Sequence, residues 1–328
     1  MPSLESYAST NEGKQDFAGI YNRPDARTYF QTLKRVDYAI PEVAKPIFRG
    51  LLGDLRARRN GGGDGGLKVL DLGCSYGVNA AMLKYDFTME GLYDYYDRGE
   101  ERPFDEAVQQ DRHYFGRQDG DQELNVIGLD EADRAVDYGI ATGLLDDGVA
   151  ANLETSPLGN GDAEKIKGCD LVTSTGCVGY VTDRTFRQLL SRLNDRPRPW
   201  FANFVLRMFR YEPIAEVLSD AGYVTRKLEG ALFAQRRFAS IEEREAASEA
   251  IQQLELDPET ELTTDRYYAE FFLSQPAEEA DSVPLERLAR WAQGAQGAQG
   301  AQGAQGAQGA QGAQGAQGAE GPAGQQIP

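Results

Sequence analysis

One short stretch of the sequence combines an acid with three small residues, at a spacing suited to ligand binding. In KVLDLGCSYGVNAAML, residues 68–83, an apolar run ends near Asp71, and Gly73, Ser75 and Gly77 follow at every second position before a helix-like run begins. Small residues let the backbone approach a ligand closely, and a carboxylate accepts hydrogen bonds from it. The stretch therefore predicts a strand-loop-helix unit that holds part of a nucleotide.

Three classes of nucleotide-binding loop compete for this pattern. A phosphate-binding P-loop ends in Gly-Lys-Ser/Thr, and the stretch GCSYGVNA has no lysine, which removes ATP. A dinucleotide-binding loop that starts at Gly73 requires glycines where the sequence has Ser75 and Val78, which disfavours NAD. The third class binds S-adenosylmethionine (SAM), a ligand without phosphate that places different demands on the loop.

The stretch VLDLGCSYG resembles motif I of the class I SAM-dependent methyltransferases, in which an apolar pair and an acid precede alternating glycines. Asp71, Gly73 and Gly77 match the motif, and Ser75 replaces its middle glycine. The resemblance spans residues 67–240 and implies SAM as cofactor and methyl transfer as activity. It also implies which loop residues contact SAM, namely Asp71, Gly73, Cys74, Ser75, Tyr76 and Gly77.

A second acid, Asp130, closes the apolar run LNVIGLD. A carboxylate at this position can accept hydrogen bonds from both hydroxyls of a ribose. NAD enzymes also place an acid there, so Asp130 indicates an adenosine ligand more than it selects SAM, and a role as helix N-cap is the alternative. By position in the family, the resemblance implies further contacts, to the adenine from Asn152, Leu153 and Glu154 and to the methionine half from Thr173, Ser174, Thr175 and Gly176.

The elements that position these residues alternate between strands and helices. Strand-like runs begin at Lys68, at LNVIGLD, at GVAANLE, at CDLVTST and at PWFANFVLRMF, and YVTRKLEG with ALFAQRRFAS forms a terminal strand pair. This alternation predicts an α/β fold with a doubly wound, mainly parallel sheet and an antiparallel edge. The resemblance implies seven strands in a Rossmann-like methyltransferase fold.

The connection between the first two strands is far longer than a minimal strand-helix-strand step of about 30 residues. We interpret residues 85–123 as an insertion, rich in acidic residues and tyrosines. A solvated helical hairpin is one interpretation. The other is a lid over the site, because the insertion follows the glycine loop directly.

The remaining parts of the chain differ in composition. Residues 1–60 predict an N-terminal helical cap of two or three short helices interrupted at Pro41 and Pro46. A glycine-rich junction precedes the core at 67–240. Residues 241–291 predict a C-terminal helical extension. Residues 292–328 contain an Ala-Gln-Gly repeat without proline, which predicts a disordered tail.

Overall composition limits the partners. The formal net charge of −18 and the pI near 4.6 disfavour a nucleic-acid partner, which requires clustered lysine and arginine, and favour a small-molecule substrate. We expect no membrane span, no signal peptide and a cytoplasmic location. Three cysteines without a paired motif predict reduced thiols and no metal site. The sequence does not indicate an oligomeric state.

Methyl transfer is an in-line displacement, so a protein base is needed only when the acceptor must lose a proton. His113 is the only histidine and the first candidate for that base. Aromatic faces stabilise a sulfonium cation, which makes several tyrosines candidates for the reaction centre. The candidate catalytic residues are therefore His113, Tyr93, Tyr96 and Tyr180.

The function predicted from these residues is SAM-dependent methyl transfer to a small molecule, in secondary metabolism. Two alternatives stay open. A SAM-consuming cyclase of the same fold would release methylthioadenosine and close an azetidine-2-carboxylate ring. A binding or regulatory module that has kept the fold and lost the chemistry is the second alternative, and the intact pair of acids, Asp71 and Asp130, argues against it.

Overall fold

The structure is a computed structural model that describes residues 18–59, 66–194 and 196–294. Its helices are α1 (Ala18–Tyr21), α2 (Arg27–Arg35), α3 (Ile40–Arg59), α4 (Val78–Lys84), α5 (Met89–Tyr96), α6 (Phe104–Phe115), α7 (Asp133–Thr142), α8 (Asn160–Ile166), α9 (Asp183–Arg192), α10 (Glu212–Asp220), α11 (Ile241–Gln253) and α12 (Glu259–Thr264), with α13 at 285–294. Its strands are β1 (Leu67–Leu72), β2 (Leu124–Asp130), β3 (Asp147–Ala150), β4 (Leu171–Thr175), β5 (Trp200–Leu206), β6 (Tyr223–Lys227), β7 (Phe233–Arg237) and β8 (Arg266–Pro276).

The strands form one sheet in the order β3-β2-β1-β4-β5-β8-β6, and β7 pairs with β8 off this path. The five strands from β3 to β5 are parallel. β8 runs antiparallel to β5, β6 and β7. Every residue of β5 is buried, as expected for a strand covered on both faces. The predicted α/β, doubly wound, mainly parallel sheet is confirmed, with seven strands in line and an eighth beside them.

The antiparallel part of the sheet differs from the sequence prediction. β6 and β7 are both present, but they do not pair with each other, because β8 pairs with each of them. The predicted C-terminal helical extension at 241–291 therefore contains a strand of the sheet at 266–276 that the sequence analysis did not predict. Along β8 the sequence RYYAEFFL alternates half-buried and buried residues, which is the period of a strand with one face in the core.

The N-terminal cap, residues 18–59, consists of α1 to α3. α3 continues through Pro46, so the predicted interruption there is wrong. Its buried face includes Val43, Ile47 and Leu51, whose burial against the sheet compensates for the hydrogen bond that proline cannot donate. The first 17 residues and the glycine-rich junction at 60–65 lie outside the described residues.

The insertion, residues 85–123, contains α5 and α6 and packs against the cap. The ring of Tyr96 on α5 stacks on Phe30 of α2, with centroids 4.4 Å apart. Tyr95, Tyr96 and Tyr138 all donate hydrogen bonds to the buried carboxylate of Asp111 on α6. The helical character predicted for the insertion is confirmed. The insertion packs mainly against the cap and stabilises it.

Of the predicted tail at 292–328, residues 292–294 belong to α13 and the rest lie outside the described residues. Within the ranges that the structure describes, no helix combines the length and the apolar character that a membrane crossing requires.

The central position of β8 leads to a prediction for stability. Leu273→Ala, at a fully buried site on β8, is expected to lower the free energy of unfolding by about 2–5 kcal/mol, because the substitution leaves a cavity in the core. Val224→Ala, on the exposed side of the neighbouring β6, is expected to cost less than about 1 kcal/mol. Urea denaturation measures both; similar losses for the two variants would contradict the central placement of β8.

Candidate functional site

A cavity of about 730 Å³ opens at the carboxyl ends of β1 to β4. In open α/β sheets this edge is where ligands bind, at the point where successive connections leave a strand in opposite directions. β1 is that strand here, because it lies between β2 and β4. The volume is in the range of small-molecule sites. The residues that line the cavity include Tyr21, Asn22, Tyr29, Leu33, Tyr38, Gly73, Ser75, Asp130, Glu131, Asn152, Leu153, Glu154, Thr175, Gly176, Cys177, Tyr180, Thr185, Gln235 and Arg236.

The loop between β1 and α4 has the backbone conformation that glycine favours. Gly73, Ser75 and Gly77 all have positive φ, at 74°, 48° and 84°. A side chain at Gly73 would also collide with the Cβ of Cys177, 2.7 Å away. Ser75 adopts this conformation at a cost of roughly 1–2 kcal/mol. The middle position of the motif therefore requires glycine-like geometry even though the residue there is serine.

Asp130 ends β2 and faces the glycine loop across the cavity. The Ser75 N–H donates a hydrogen bond to Asp130 Oδ2 at 2.9 Å, and the Ala132 N–H donates to Oδ1 at 3.0 Å. Burial raises the pKa of Asp130 above its ordinary value. Each carboxylate oxygen has a second lone pair, so the group can accept further hydrogen bonds from a diol in the cavity.

Asp71 lies behind the loop, fully buried and outside the cavity lining. Its Oδ1 accepts hydrogen bonds from Asn79 Nδ2 at 2.8 Å and from Thr173 Oγ1 at 3.0 Å. Its Oδ2 has no hydrogen-bond partner among the described residues. Burial raises the pKa of Asp71 to about 7. The structure thus places this acid beneath the loop as a supporting group with one oxygen available.

The other predicted loop contacts point away from the cavity. The ring of Tyr76 is buried, and its hydroxyl accepts a hydrogen bond from the Arg23 N–H at 3.0 Å and lies 3.2 Å from the carbonyl of Ile20. Cys74 is buried on the core side of the loop, and Gly77 precedes α4. Tyr76 therefore holds the turn of the cap whose middle residues, Tyr21 and Asn22, line the cavity.

The residues after β3, from which the resemblance implied contacts to the adenine, line the cavity, but their polar groups already form hydrogen bonds within the protein. The Glu154 carboxylate accepts hydrogen bonds from the backbone and hydroxyl groups of Thr182 and Thr185 at the start of α9. The Asn152 amide donates to Glu131 at 2.7 Å. Leu153 is buried and offers an apolar surface. An adenine at this end would contact a preformed wall.

Thr173 and Ser174 on β4 lie below the cavity and do not line it. Thr173 donates to Asp71, and Ser174 donates to Asn203 Oδ1 on β5 at 2.8 Å. The next residues along the chain, Thr175 to Cys177, form the floor of the cavity instead. β4 ends at Thr175, as the run CDLVTST predicted, and of the residues that the resemblance assigns to the methionine half only Thr175 and Gly176 line the cavity.

Only one of the four candidate catalytic residues lines the cavity. Tyr180, in the segment after β4, lines it and is 55% exposed. His113 is exposed on α6, Tyr93 donates to the Tyr38 carbonyl, and Tyr96 donates to Asp111. The insertion contributes no residue to the described lining of the cavity, so Tyr180 alone among the four is a candidate at the reaction centre.

The cavity wall that sequence reasoning missed comes from the cap and from β7. Tyr21, Tyr29, Leu33 and Tyr38 cover the glycine loop, and Gln235 and Arg236 close the far end. The spacing of the apolar residues in the cap predicted helices, but it did not indicate which face of those helices covers the site. The covering role expected of the insertion belongs to the cap.

The lining of the cavity is acidic and aromatic. Its three carboxylates are Asp130, Glu131 and Glu154, and its single cation among the described residues is Arg236. Arg236 is paired with Glu243 through two hydrogen bonds of 2.9 and 2.6 Å. Burial raises the pKa values of Tyr21, Tyr29 and Tyr38, so these three phenols are neutral at physiological pH. Such a site favours a cationic ligand and opposes phosphate groups.

No protein-family model and no curated protein matches the chain. Among solved structures, a TehB-like SAM-dependent methyltransferase from Corynebacterium glutamicum matches at 14% identity and TM-score 0.32, covering 67% of this chain and 86% of that chain. A SAM-dependent methyltransferase from Aquifex aeolicus matches at 12% identity and TM-score 0.33, covering 75% and 97%. The plantazolicin methyltransferase BpumL, in complex with SAH, matches at 10% identity and TM-score 0.35, covering 83% and 96%. Because the sequence identities and TM-scores of these matches are low, the assignment of function rests on the geometry of the site.

The buried carboxylate of Asp71 predicts a pH dependence of stability. Its pKa of about 7 in the folded state exceeds the ordinary 3.8, so its stabilising contribution is complete below pH 4 and is lost as the pH rises through 7. Between pH 5 and pH 8 the ligand-free protein should lose about 2–3 kcal/mol from this group.

The Asp71→Asn variant should not show this loss of stability between pH 5 and pH 8. Urea denaturation at pH 5, 6, 7 and 8 would measure the free energy of unfolding of both proteins. Asp137→Asn, at an exposed position on α7, controls for the removal of one charge. If the free energy of unfolding depended on pH in the same way in Asp71→Asn and in the parent, the raised pKa of Asp71 would be contradicted.

Proposed function

We propose that the cavity binds S-adenosylmethionine and that the protein transfers its methyl group to a small-molecule acceptor. The observation that carries this proposal is the charge of the cavity. SAM carries one net positive charge through its sulfonium, ammonium and carboxylate groups, whereas NAD and ATP bring phosphates. Three carboxylates against one arginine that is already paired suit the first ligand and oppose the others.

The residues present fit each part of SAM. The Asp130 carboxylate at the end of β2 is placed to accept hydrogen bonds from ribose hydroxyls, and Leu153 offers a flat apolar surface for the adenine. The available oxygen of Asp71 beneath the loop would accept a hydrogen bond from a donor on the methionine half, directly or through water. Neutral tyrosine rings line the region where a sulfonium would lie.

The acceptor is a small molecule in this proposal, because the cap restricts access to the cavity. Tyr21 and Asn22 lie over it, and the Asn22 side chain accepts a hydrogen bond from the Arg134 N–H at the start of α7. Three free cysteines and the acidic surface support a role in a reducing compartment such as the cytoplasm. We also propose that the reaction belongs to secondary metabolism, on the ground that the acceptor is a small molecule.

The ribose assignment predicts a loss of affinity on removal of one carboxylate. Asp130→Ala should weaken SAM binding by about 10- to 100-fold, because two hydrogen bonds to the ribose are lost and the Ser75 N–H loses its acceptor. Asp133→Ala, three residues further on and exposed, should bind SAM like the parent. Isothermal titration calorimetry measures both; equal affinity for Asp130→Ala and the parent would make the ribose assignment wrong.

The product of SAM turnover decides between methyl transfer and its alternatives. We expect S-adenosylhomocysteine (SAH) to accumulate when extracts of small molecules are supplied, detected by mass spectrometry together with a methylated acceptor. Methylthioadenosine as the main product would indicate ring closure instead. Binding of SAM without either product would indicate a module without catalytic activity.

A further inference from the structure

The order of the strands orients SAM in the cavity, and this inference rests on the function proposed above. The ribose acid stands at β2 and the adenine wall at β3, so the methionine half extends the other way along the sheet edge, over β1 and β4. Beyond β4 the cavity is closed by Gln235 and Arg236 of β7. These residues therefore face the end of the cavity from which an acceptor meets the transferred methyl group.

Gln235 is aimed into this end by an irregularity of its strand. The pairing of β7 with β8 shifts between Ala234 and Arg236, which leaves Gln235 as the extra residue of a bulge. Bulges beside active sites often redirect a side chain. The Gln235 amide nitrogen lies over Gly176, where an added Cβ would approach it to 2.2 Å. A residue with a side chain at position 176 would displace the carboxamide from the cavity floor.

The carboxamide is buried without a protein partner. Gln235 is 5% exposed, and its side chain forms no hydrogen bond to another described residue. Buried polar groups are nearly always hydrogen-bonded, so an unpartnered one that lines a cavity indicates a ligand that completes it. The carboxamide offers a carbonyl acceptor and two N–H donors.

The surrounding groups limit the acceptor chemistry. Tyr21 and Tyr38 have pKa values raised by burial, and burial raises the pKa of Cys177 to about 12, so none of the three accepts a proton at neutral pH. The carboxylates that line the cavity lie at its other end, after β2 and β3. A hydroxyl acceptor therefore finds no base among the two tyrosines and the cysteine, and an anionic acceptor meets an arginine already neutralised by Glu243.

We propose that the acceptor is a neutral amine, held by a hydrogen bond from its N–H to the Gln235 side-chain carbonyl. Its nitrogen lone pair forms the new bond to the methyl carbon while the carbon–sulfur bond breaks, and that electron pair stays on sulfur. The positive charge moves from sulfur to nitrogen inside the same acidic, tyrosine-lined cavity, so the protein's charges favour the cation throughout. The extra proton leaves with the product.

Binding of sinefungin tests this proposal without knowledge of the acceptor. Sinefungin is a SAM analogue that carries an amine where SAM carries the sulfonium methyl, whereas SAH has neither. The parent should bind sinefungin about tenfold more tightly than SAH, and Gln235→Leu should remove most of that preference while changing SAH affinity less than about twofold. Gln235→Glu, which keeps the shape and adds a charge, should increase the preference for sinefungin.

Gln275→Leu provides the matched control, because Gln275 is a buried glutamine on β8 whose amide is satisfied by Ser282. This variant should keep the parent's ratio of affinities, measured by calorimetry. An unchanged ratio in both Gln235 variants, with SAH still bound, would overturn the role of Gln235, and an O-methylated product would overturn the amine assignment. Failure of the parent to bind SAH or sinefungin would instead refute the proposed function itself, and this inference with it.

Discussion

The hydrogen bond from the Ser75 backbone to the Asp130 carboxylate is the contact on which the site depends. It joins the loop after β1 to the end of β2, and so it sets the width of the cavity at the sheet edge. Forming it requires Ser75 to adopt a positive φ, and Gly73 and Gly77 on either side do the same. The alternation of small residues in the sequence is the consequence of this single geometric requirement.

The cap and the insertion form successive layers outside that loop. Tyr76 extends from the loop into the cap and holds the turn at 20–23, which carries Tyr21 and Asn22 over the cavity. The insertion then packs behind the cap, through the stacking of Phe30 on Tyr96 and an ion pair of 2.7 Å between Arg23 and Glu101. The acidic, tyrosine-rich insertion therefore affects the site only indirectly, because it stabilises the cap, and the cap covers the cavity.

Charge and burial together explain how the site favours a cation. The Asp130 and Glu154 carboxylates accept hydrogen bonds from backbone and threonine donors rather than from a lysine. The one lining arginine is occupied by Glu243 and stacks over the ring of Tyr267. Among the described residues a phosphate group would meet no available cation there, whereas a sulfonium or an ammonium would meet carboxylates and neutral aromatic rings.

The sequence alone determined the features that depend on neighbouring residues. An acid at a strand end followed by alternating small residues is a local pattern, and so is the alternation of strands and helices that predicted the mainly parallel sheet. Asp130 was also recognisable, because it closes an apolar run. Gly73, Ser75 and Asp130 all line the cavity that the structure reveals.

Only the tertiary structure decided which distant segments complete the site. β8 enters the sheet between β5 and β6 from a region of the chain that is otherwise helical, because its alternating face fits between them. Of the many tyrosines, Tyr21, Tyr29, Tyr38 and Tyr180 line the cavity, while Tyr93 and Tyr96 bond to other parts of the core. Spacing along the chain identifies the face of a helix, but the partner of that face depends on packing between residues far apart in sequence.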